Sequence, residues 1–320
     1  MCIYAAKIMP TRTSCGMAFP LIDAHCHLHD KQFRPSGTLS NHQVLTDVLL
    51  RAQNARVSHV VSCATHEEDW RVLEQLMEQQ SHRKYLRILT AFGIHPWWAQ
   101  KCTSSSLQLL RNILMRYPAA SVGEIGLCKS ARGQSVPVNV QEEAFRAQLL
   151  LAADLERACV VHCVGYYGKL LAILQELELA REKLPPVLVL HSFGGSTDVM
   201  QSFLKLQGMK IFISLNAKQL THPTMKKAVA CCKNVPLKAL LLETDAPYQA
   251  PLMKHAEKVV NRKDFCGVPL LCQEESAGVN EPCMVQLALL SAAEIRGTPL
   301  DVVAAAVYQN SKEAFGITTI

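Results

Sequence analysis

Two histidines separated by one residue have the spacing of a metal-binding pair. His25 and His27 lie at the end of an apolar run that begins at Leu21. Side chains at positions i and i+2 of a strand point to the same face, so both imidazoles can reach one metal ion. An isolated pair of this kind is a weak signal, and its meaning depends on what the rest of the chain places beside it.

Four further residues of ligand type each follow a short apolar run, and they are Glu124, His162, His191 and Asp245. Imidazole and carboxylate groups suit divalent ions of borderline softness, and one carboxylate can offer an oxygen to each of two ions. A single histidine of this kind is more often a hydrogen-bonded core residue, so the prediction rests on the whole set. We predict a centre for two divalent cations, Mg²⁺, Mn²⁺ or Zn²⁺.

Eight short runs rich in valine, isoleucine and leucine must position these side chains. The runs are continuous rather than alternating, as is typical of parallel strands buried on both faces, and amphipathic segments of helical period separate them. This alternation predicts an α/β fold, a single-domain (β/α)₈ TIM barrel in which all six residues meet at the C-terminal mouth. The predicted strands cover residues 21–27, 57–64, 86–94, 120–127, 158–164, 187–193, 210–216 and 239–245.

Helix signals lie between the predicted strands. Thr65 with Glu68, and Asn139 with Glu142, have the spacing of capping boxes at helix starts. A long irregular stretch at 246–281 is expected to be a functional loop, followed by closing helices over 284–296 and after Thr298-Pro299, with the proline at the first helical position. Apolar stripes are predicted at Leu107, Leu110 and Leu114, and at Phe145, Leu149 and Ala152.

Composition limits the class of protein. Hydrophobic residues make up 49% of the 320-residue chain, and the net charge of +6 is compatible with a polyanionic partner without requiring one. The thirteen cysteines fall mostly in apolar runs, which favours packed thiols in a reducing compartment. No apolar stretch has the roughly 18 residues of a membrane span. We expect a cytoplasmic or nuclear monomer without a membrane partner, with residues 1–20 as an untargeted extension and 21–320 as the barrel.

Several motifs resemble those of the TatD family of metal-dependent deoxyribonucleases, over nearly the whole chain after about residue 20. The resemblance implies an amidohydrolase-like barrel, metal ligands at the same six positions and a deoxyribonuclease acting as a 3′–5′ exonuclease. The matching motifs are Asp-x-His-x-His at 23–27, Gly-x-His-Pro at 93–96, Gly-Glu-Ile-Gly-Leu at 123–127, the strands of His162 and His191, Glu-Thr-Asp-Ala-Pro at 243–247 and Asn-Glu-Pro at 280–282.

The chain departs from the family pattern at three places. Cys128 stands where the family usually has aspartate, Val279 where arginine precedes Asn-Glu-Pro, and Cys163-Val164-Gly165 where Ser/Cys-Arg-Asp is common. We expect these changes to alter substrate handling and to leave the six ligands intact. The Cys128 thiol is predicted to pack beside the centre, and a role as an extra soft ligand is the alternative.

The residues after the strand ends suggest a nucleic-acid partner, DNA as single strands or strand ends. Aromatic rings can stack on unpaired bases, and cations can contact phosphates. The alternative is that loops are normally polar and that aromatic residues next to proline pack as lids. The aromatic candidates are Phe33, Trp97, Trp98, Tyr166, Tyr167, Phe193 and Tyr248, and the basic candidates are Lys31, Arg34, Lys129, Arg132, Lys254, Lys258, Arg262 and Lys263.

The predicted mechanism is phosphodiester hydrolysis assisted by two metal ions. One ion is assigned to His25, His27, Glu124 and Asp245, and the other to Glu124, His162 and His191. Glu124 and Asp245 are the predicted catalytic carboxylates, with Asp245 orienting a water or accepting its proton.

His95 is predicted to be a third catalytic residue, donating a hydrogen bond to the phosphate, and a packed histidine in a tight turn before Pro96 is the alternative. Two other functions stay open. One is a metal-dependent hydrolase of a small amide, lactone or phosphoester, since fold and metals do not fix the substrate. The other is a non-catalytic, metal-containing nucleic-acid binder.

Overall fold

Eight parallel strands form one sheet in a computed structural model that describes residues 19–34, 41–79, 86–260 and 278–318. The strands follow one another in chain order, with helices between them, so the predicted (β/α)₈ TIM barrel is confirmed. The strands are β1 (Leu21–Cys26), β2 (Val57–Cys63), β3 (Arg87–Phe92), β4 (Ser121–Cys128), β5 (Cys159–Val164), β6 (Val187–Leu190), β7 (Lys210–Asn216) and β8 (Leu240–Glu243).

Helices cover the outside of the sheet and the ends of the barrel. In the described residues they are α1 (Asn41–Asn54), α2 (Glu67–Glu78), α3 (Ser104–Arg116), α4 (Val138–Asp154), α5 (Tyr167–Leu179), α6 (Thr197–Leu204), α7 (Ala217–Thr221), α8 (Lys226–Asn234), α9 (Met253–Val260), α10 (Val285–Arg296) and α11 (Leu300–Ala314). Short 3₁₀ helices cover Pro96–Lys101, Gly133–Ser135, Leu237–Ala239 and Pro282–Met284. In this described part of the chain, no helix combines the length and apolar character needed to cross a membrane.

Both predicted capping boxes were wrong. Helix α2 has its N-cap at His66 rather than Thr65, because the carboxylate of Asp69, and not that of Glu68, accepts hydrogen bonds from the backbone N–H of Thr65 and His66. Helix α4 has Pro137 at its N-cap, so Asn139 already lies in the first turn.

The start of α4 is fixed instead by the buried amide of Gln141. This amide donates to the carbonyls of Gly133 and Val136, which anchors the first turn to the preceding loop. The predicted stripe of Phe145, Leu149 and Ala152 is buried as expected.

The C-terminal part of the chain needs smaller corrections. Helix α9 occupies part of the stretch predicted to be irregular, and residues 261–277 lie outside the described residues. The closing helices are confirmed, but Pro299 is the N-cap of α11 and not its first helical residue. In α3, Leu110 and Leu114 are buried and Leu107 only partly so. Residues 1–18 also lie outside the described residues, and the boundary near residue 20 stays a prediction.

The inside of the barrel is closed by an apolar layer. Its side chains come from seven strands, with Ala314 and Phe315 packed against them from the end of α11. Side chains at positions i and i+2 of a strand share a face. The residues two positions after Val160, Val189 and Leu241, namely His162, His191 and Glu243, therefore lie on the same inner surface, one layer nearer the mouth. The apolar layer consists of Ala24, Val61, Cys63, Ala91, Val160, Val189, Phe212 and Leu241.

A buried carboxylate joins the last strand to the first. The carboxylate of Asp23 in β1 accepts hydrogen bonds from the backbone N–H of Thr244 at 2.9 Å and from its hydroxyl at 2.6 Å. Beside it the N–H of Asp245 donates to the carbonyl of His25, and the N–H of His27 donates to that of Ala246. Burial raises the pKa of Asp23, and these bonds from Thr244 oppose the rise. The seam between β8 and β1, where the barrel closes, is therefore held by specific polar contacts directly beneath the predicted site.

We expect Thr244→Val to destabilise the barrel by about 1–3 kcal/mol, because it removes a donor from a fully buried carboxylate without changing the shape of the side chain. Urea denaturation of both proteins measures the difference. Thr221→Val is the matched control, since the Thr221 hydroxyl only donates to the Ala217 carbonyl within α7 and its loss should cost under about 1 kcal/mol. Equal stability of the two variants would contradict a role for the Asp23 contact.

Candidate metal centre

The barrel brings the six predicted residues to one place at its C-terminal mouth. His25 lies in β1, Glu124 in β4 and His162 in β5, whereas His27 and His191 directly follow their strands and Asp245 lies two residues after β8. All are buried except His162, which is partly exposed. The six residues lie together at the mouth as predicted, although Glu124 is within β4 rather than at its end. Their role as metal ligands stays a prediction.

Glu124 lies between two groups of imidazoles. Its Oε2 atom is 3.5 Å from Nε2 of His25 and 3.6 Å from Nε2 of His27. Its Oε1 atom is 2.6 Å from Nε2 of His191 and 3.0 Å from Nδ1 of His162. Each oxygen thus faces a different pair of histidines, which is the arrangement that a bridging carboxylate needs.

Asp245 completes the first group. Its Oδ1 atom is 3.3 Å from Nε2 of His27 and 3.7 Å from Nε2 of His25. The residue has a φ of 59°, a left-handed conformation that is uncommon outside glycine and that turns the chain sharply after β8. The side-chain amide of Asn280 donates to the carbonyls of Thr244 and Tyr248, which holds this segment in place and gives the Asn-Glu-Pro motif a structural role.

Electrostatics favour ionised carboxylates among these histidines. Burial alone would raise the pKa of Glu124, but the imidazoles of His191, His95 and His25 hold it well below its usual range. Burial would likewise lower the pKa of His27, yet its hydrogen bond with Asp245 and the nearby carboxylate charges raise it to about 9. The electrostatics of the cluster therefore favour positive charge between its carboxylates, which metal ions can supply.

The donor atoms fit divalent metal ions. Nδ1 of His27 lies 2.9 Å from the carbonyl of Cys63, a contact that needs a proton on Nδ1 and leaves the lone pair of Nε2 directed at the centre. Ligand atoms of His25, His27 and Asp245 all lie within 4.8 Å of one another. These observations support a metal centre rather than a packed polar core.

His95 belongs to the centre but has the wrong tautomer for a ligand. Its Nδ1 accepts a hydrogen bond from the backbone N–H of Trp97 at 3.1 Å, and burial together with the charge of His162 lowers its pKa well below the usual value. The neutral ring therefore carries its proton on Nε2, which lies 3.6 Å from Oε1 of Glu124. His95 is thus placed to donate a hydrogen bond into the centre, and its catalytic role stays a prediction.

Glu243 was not among the site residues predicted from the sequence. This fully buried carboxylate accepts hydrogen bonds from the backbone N–H and the hydroxyl of Ser192, both at 2.7 Å, and its Oε1 is 3.6 Å from Nδ1 of His191. It is suited to orient His191. Strand parity could have found it, because Glu243 is two residues before Asp245 on the same apolar run.

One glycine of the Gly-Glu-Ile-Gly motif has a clear steric role. At Gly126, where φ is 141°, a Cβ atom would lie only 1.9 Å from the carbonyl oxygen of His162. Its absence lets β4 and β5 approach closely enough for Glu124 and His162 to meet.

Cys128 lies beside the second group of histidines. Its thiol accepts a hydrogen bond from the indole N–H of Trp97 at 3.3 Å and is 3.0 Å from the hydroxyl of Ser130. Burial would raise its pKa, but the adjacent imidazole of His162 and the contact with Ser130 lower it to about 7. In the described residues, no group of three potential ligands includes this thiol. The contacts favour a thiol that supports His162 over a seventh ligand.

A cleft of about 1740 Å³ opens above the centre. Trp97, Trp98 and Tyr248 line it, as predicted for residues that meet a substrate. Phe33 and Phe193 do not, because both are fully buried in the core, and that prediction was wrong.

Of the other residues predicted to lie at the rim, some line the cleft and some do not. Lys31, Arg34 and Arg132 line the cleft. Tyr166 and Tyr167 pack partly buried against the core and Lys129 lies over the Tyr166 ring, outside the set of residues that line the cleft. Lys254 is exposed in α9, and Lys258, Arg262 and Lys263 lie outside the residues whose side chains are described.

An eight-stranded parallel barrel with a cluster of histidines and carboxylates at its C-terminal mouth is typical of metal-dependent hydrolases. The family model described as TatD related DNase matches residues 22–316, and the chain belongs to this family. It is a TatD-family metal-dependent hydrolase with groups able to bind metal.

Relatives and solved structures agree with this assignment. The chain is 29% identical over 298 residues to the uncharacterized metal-dependent hydrolase YjjV of Escherichia coli, covering 92% of this chain and 98% of the relative. It is 32% identical over 185 residues to a protein named 3′-5′ ssDNA/RNA exonuclease TatD from Musicola paradisiaca, covering 58% and 67%. The crystal structure of E. coli YjjV superposes with a TM-score of 0.71 at 26% identity, covering 93% and 98%.

We expect Glu124→Ala to lower the bound metal from about two ions per chain to one or none, because the variant loses the carboxylate whose two oxygens face the two groups of histidines. Elemental analysis of the purified proteins measures this. Glu142→Ala is the control, since Glu142 pairs with Lys169 on the surface and its loss should leave the metal content unchanged. Retention of both ions by the Glu124 variant would refute the bridging role.

Cys128→Asp should be tolerated and should raise metal affinity or nuclease activity, since a partner that supports a ligand is worth ~10–100-fold. The carboxylate would take the place of the thiol beside His162. Competition titrations of Zn²⁺ against Mn²⁺ on both proteins provide the measurement. A selective loss of Zn²⁺ affinity in the variant would instead identify the thiol as a soft metal ligand, because Mn²⁺ prefers oxygen donors.

Proposed function

We propose that this chain is a divalent-metal-dependent nuclease that shortens single-stranded DNA from its 3′ end by hydrolysing phosphodiester bonds. The observation that carries the proposal is the two-sided environment of Glu124, with Oε2 facing His25 and His27 and Oε1 facing His162 and His191. Such an arrangement suits two cations held side by side, which is a common solution for cleaving phosphate esters.

The cleft supports a polymeric substrate. Its volume of about 1740 Å³ exceeds the roughly 300–1000 Å³ of pockets that enclose small ligands, so a segment of a strand can enter it. Aromatic and basic side chains share its wall, in keeping with bases and phosphates as ligands. Several relatives carry names that describe 3′–5′ exonucleases of single-stranded DNA or RNA, which supports the proposed direction of digestion.

Different residues of the centre have different roles in the proposed reaction. Divalent ions bound at this centre would lower the pKa of a water molecule and neutralise charge on the phosphate. Asp245, with its Oδ1 held near His27, orients the attacking water and accepts its proton. His95 presents its Nε2–H to a phosphate oxygen, since its Nδ1 is already occupied by the Trp97 N–H.

End-labelled oligonucleotides test the proposal directly. With Mg²⁺, Mn²⁺ or Zn²⁺, a 5′-labelled single strand should give a ladder of shortened products, and a 3′-labelled strand should release its label first. Double-stranded substrates with blunt ends should be cleaved more slowly. Turnover of amides, lactones or small phosphoesters alone would identify a different hydrolase, and bound metal without any turnover would identify a binding protein.

Asp245→Asn tests whether Asp245 acts as a general base in addition to binding metal. The amide keeps the shape of the side chain and one oxygen but cannot take up a proton, so we expect folded protein with most of its metal and a turnover at least ~10²-fold lower. Asp154→Asn is the control, because Asp154 pairs with Arg111 on the surface and should not affect turnover. Initial rates on the labelled strand and metal content are measured together. Turnover near that of the unmodified protein would place the base elsewhere, with His95 the next candidate.

A further inference from the structure

Arg132 differs from the other cations that line the cleft. It follows β4, it is exposed, and its guanidinium carbon lies 4.2 Å from the centroid of the Trp97 ring and 5.2 Å from that of Trp98. Stacking on indole rings limits the positions that a long arginine side chain adopts and leaves the N–H groups at the edge of the guanidinium available. In the described residues, Lys31 and Arg34 have no such stacking contact.

The two tryptophans are themselves fixed. The indole N–H of Trp97 donates to the Cys128 thiol, and the ring lies 4.2 Å from that of His95. The Trp98 ring stacks on His66 with centroids 4.9 Å apart and an angle of 20° between the planes. Arg132 therefore rests on a surface that is anchored to the centre on one side and to the start of α2 on the other.

The guanidinium lies at the mouth, close to the chemistry. Trp97, on which it stacks, also lies 6.2 Å from His162 between ring centroids. The ring centroids of Tyr248 and His27 are 5.7 Å apart. Burial and the hydrogen bond to Asp30 raise the pKa of Tyr248, and the charge of Arg132 opposes this rise. Arg132, Trp97 and Tyr248 all line the same cleft.

No carboxylate of the described residues forms an ion pair with Arg132. Other arginines outside the cleft do have such partners, as Arg111 does with Asp154 and Arg116 with Glu74. The Arg132 guanidinium is planar, held in position and without a carboxylate partner among the described residues. It lies in a cleft above a centre that suits phosphate chemistry, so it is well suited to bind a phosphate.

We propose that Arg132, held by Trp97 and Trp98, binds a backbone phosphate of the substrate next to the phosphate that is cleaved. The inference rests on the proposed nuclease function for the identity of the ligand. Arg132 is a binding residue in this account and takes no part in proton transfer.

Equilibrium binding tests the inference without turnover. The probe is a single strand of about ten thymidines with phosphorothioate linkages, which keeps its charges and resists hydrolysis, and it carries fluorescein at the 5′ end. Fluorescence anisotropy with the metal-loaded protein gives Kd at several KCl concentrations from about 25 to 200 mM. The variants are R132Q, R132K and K101Q. Lys101 is the matched control because it stacks on the same Trp98 ring at 4.7 Å but does not line the cleft.

R132Q should raise Kd at least ~5-fold at low salt, and its slope of log Kd against log salt should fall by about 0.7, the value for one phosphate contact on a single strand. R132K should keep the slope and weaken binding less, because it retains the charge and loses the planar stacking contact. K101Q should match the unmodified protein in both quantities. Thermal unfolding of each variant verifies that the fold is intact.

Two results would overturn the inference. One is an R132Q variant with unchanged Kd and slope, and the other is an unmodified protein that does not bind the probe. An unmodified protein that binds the probe but fails to shorten the natural oligonucleotide refutes the nuclease function alone, since the comparison of R132Q with K101Q still decides the role of Arg132.

Discussion

The structure depends on one buried negative charge, the carboxylate of Glu124. A desolvated carboxylate is costly unless positive groups compensate it, and here the imidazoles of His25, His27, His162 and His191 lie around its two oxygens. Those imidazoles come from three different strand ends, so the compensation exists only when the barrel is closed. The same geometry that neutralises the carboxylate prepares the site for cations, and stability and function share one cluster.

Closure of the barrel is the second requirement, and it rests on polar contacts at the seam. Strand β8 is short, and Asp23 reaches across from β1 to accept both donors of Thr244. The chain then turns at Asp245, whose N–H donates to the carbonyl of His25. Asp23 therefore aligns the two strands that carry the first group of ligands, which explains why an acidic residue opens the Asp-x-His-x-His motif in this chain.

Two residues among the departures from the family pattern, Cys128 and Val164, line the cleft. Cys128 sits between Trp97, Ser130 and His162, and Val164 lines the cleft where the resemblance suggests a polar side chain. Arg132, stacked on Trp97 and Trp98, adds a cation to the same cleft. All six candidate ligands are present beside these departures.

The sequence by itself determined the barrel, its eight strands and the six residues at its mouth, because the strands are largely apolar runs and five of them contain a candidate ligand or are followed by one. Helix starts were predicted less well, since the side chain of Asp69 and the buried amide of Gln141 fixed them through contacts that spacing does not reveal.

Only the tertiary structure decided which oxygen of Glu124 faces which histidines, and that the buried carboxylate of Glu243 lies near Nδ1 of His191. It also separated Phe33 and Phe193, which pack in the core, from Trp97 and Tyr248, which line the cleft. The physical reason is that distances between strand ends and the orientation of side chains depend on how strands far apart in the chain are brought together.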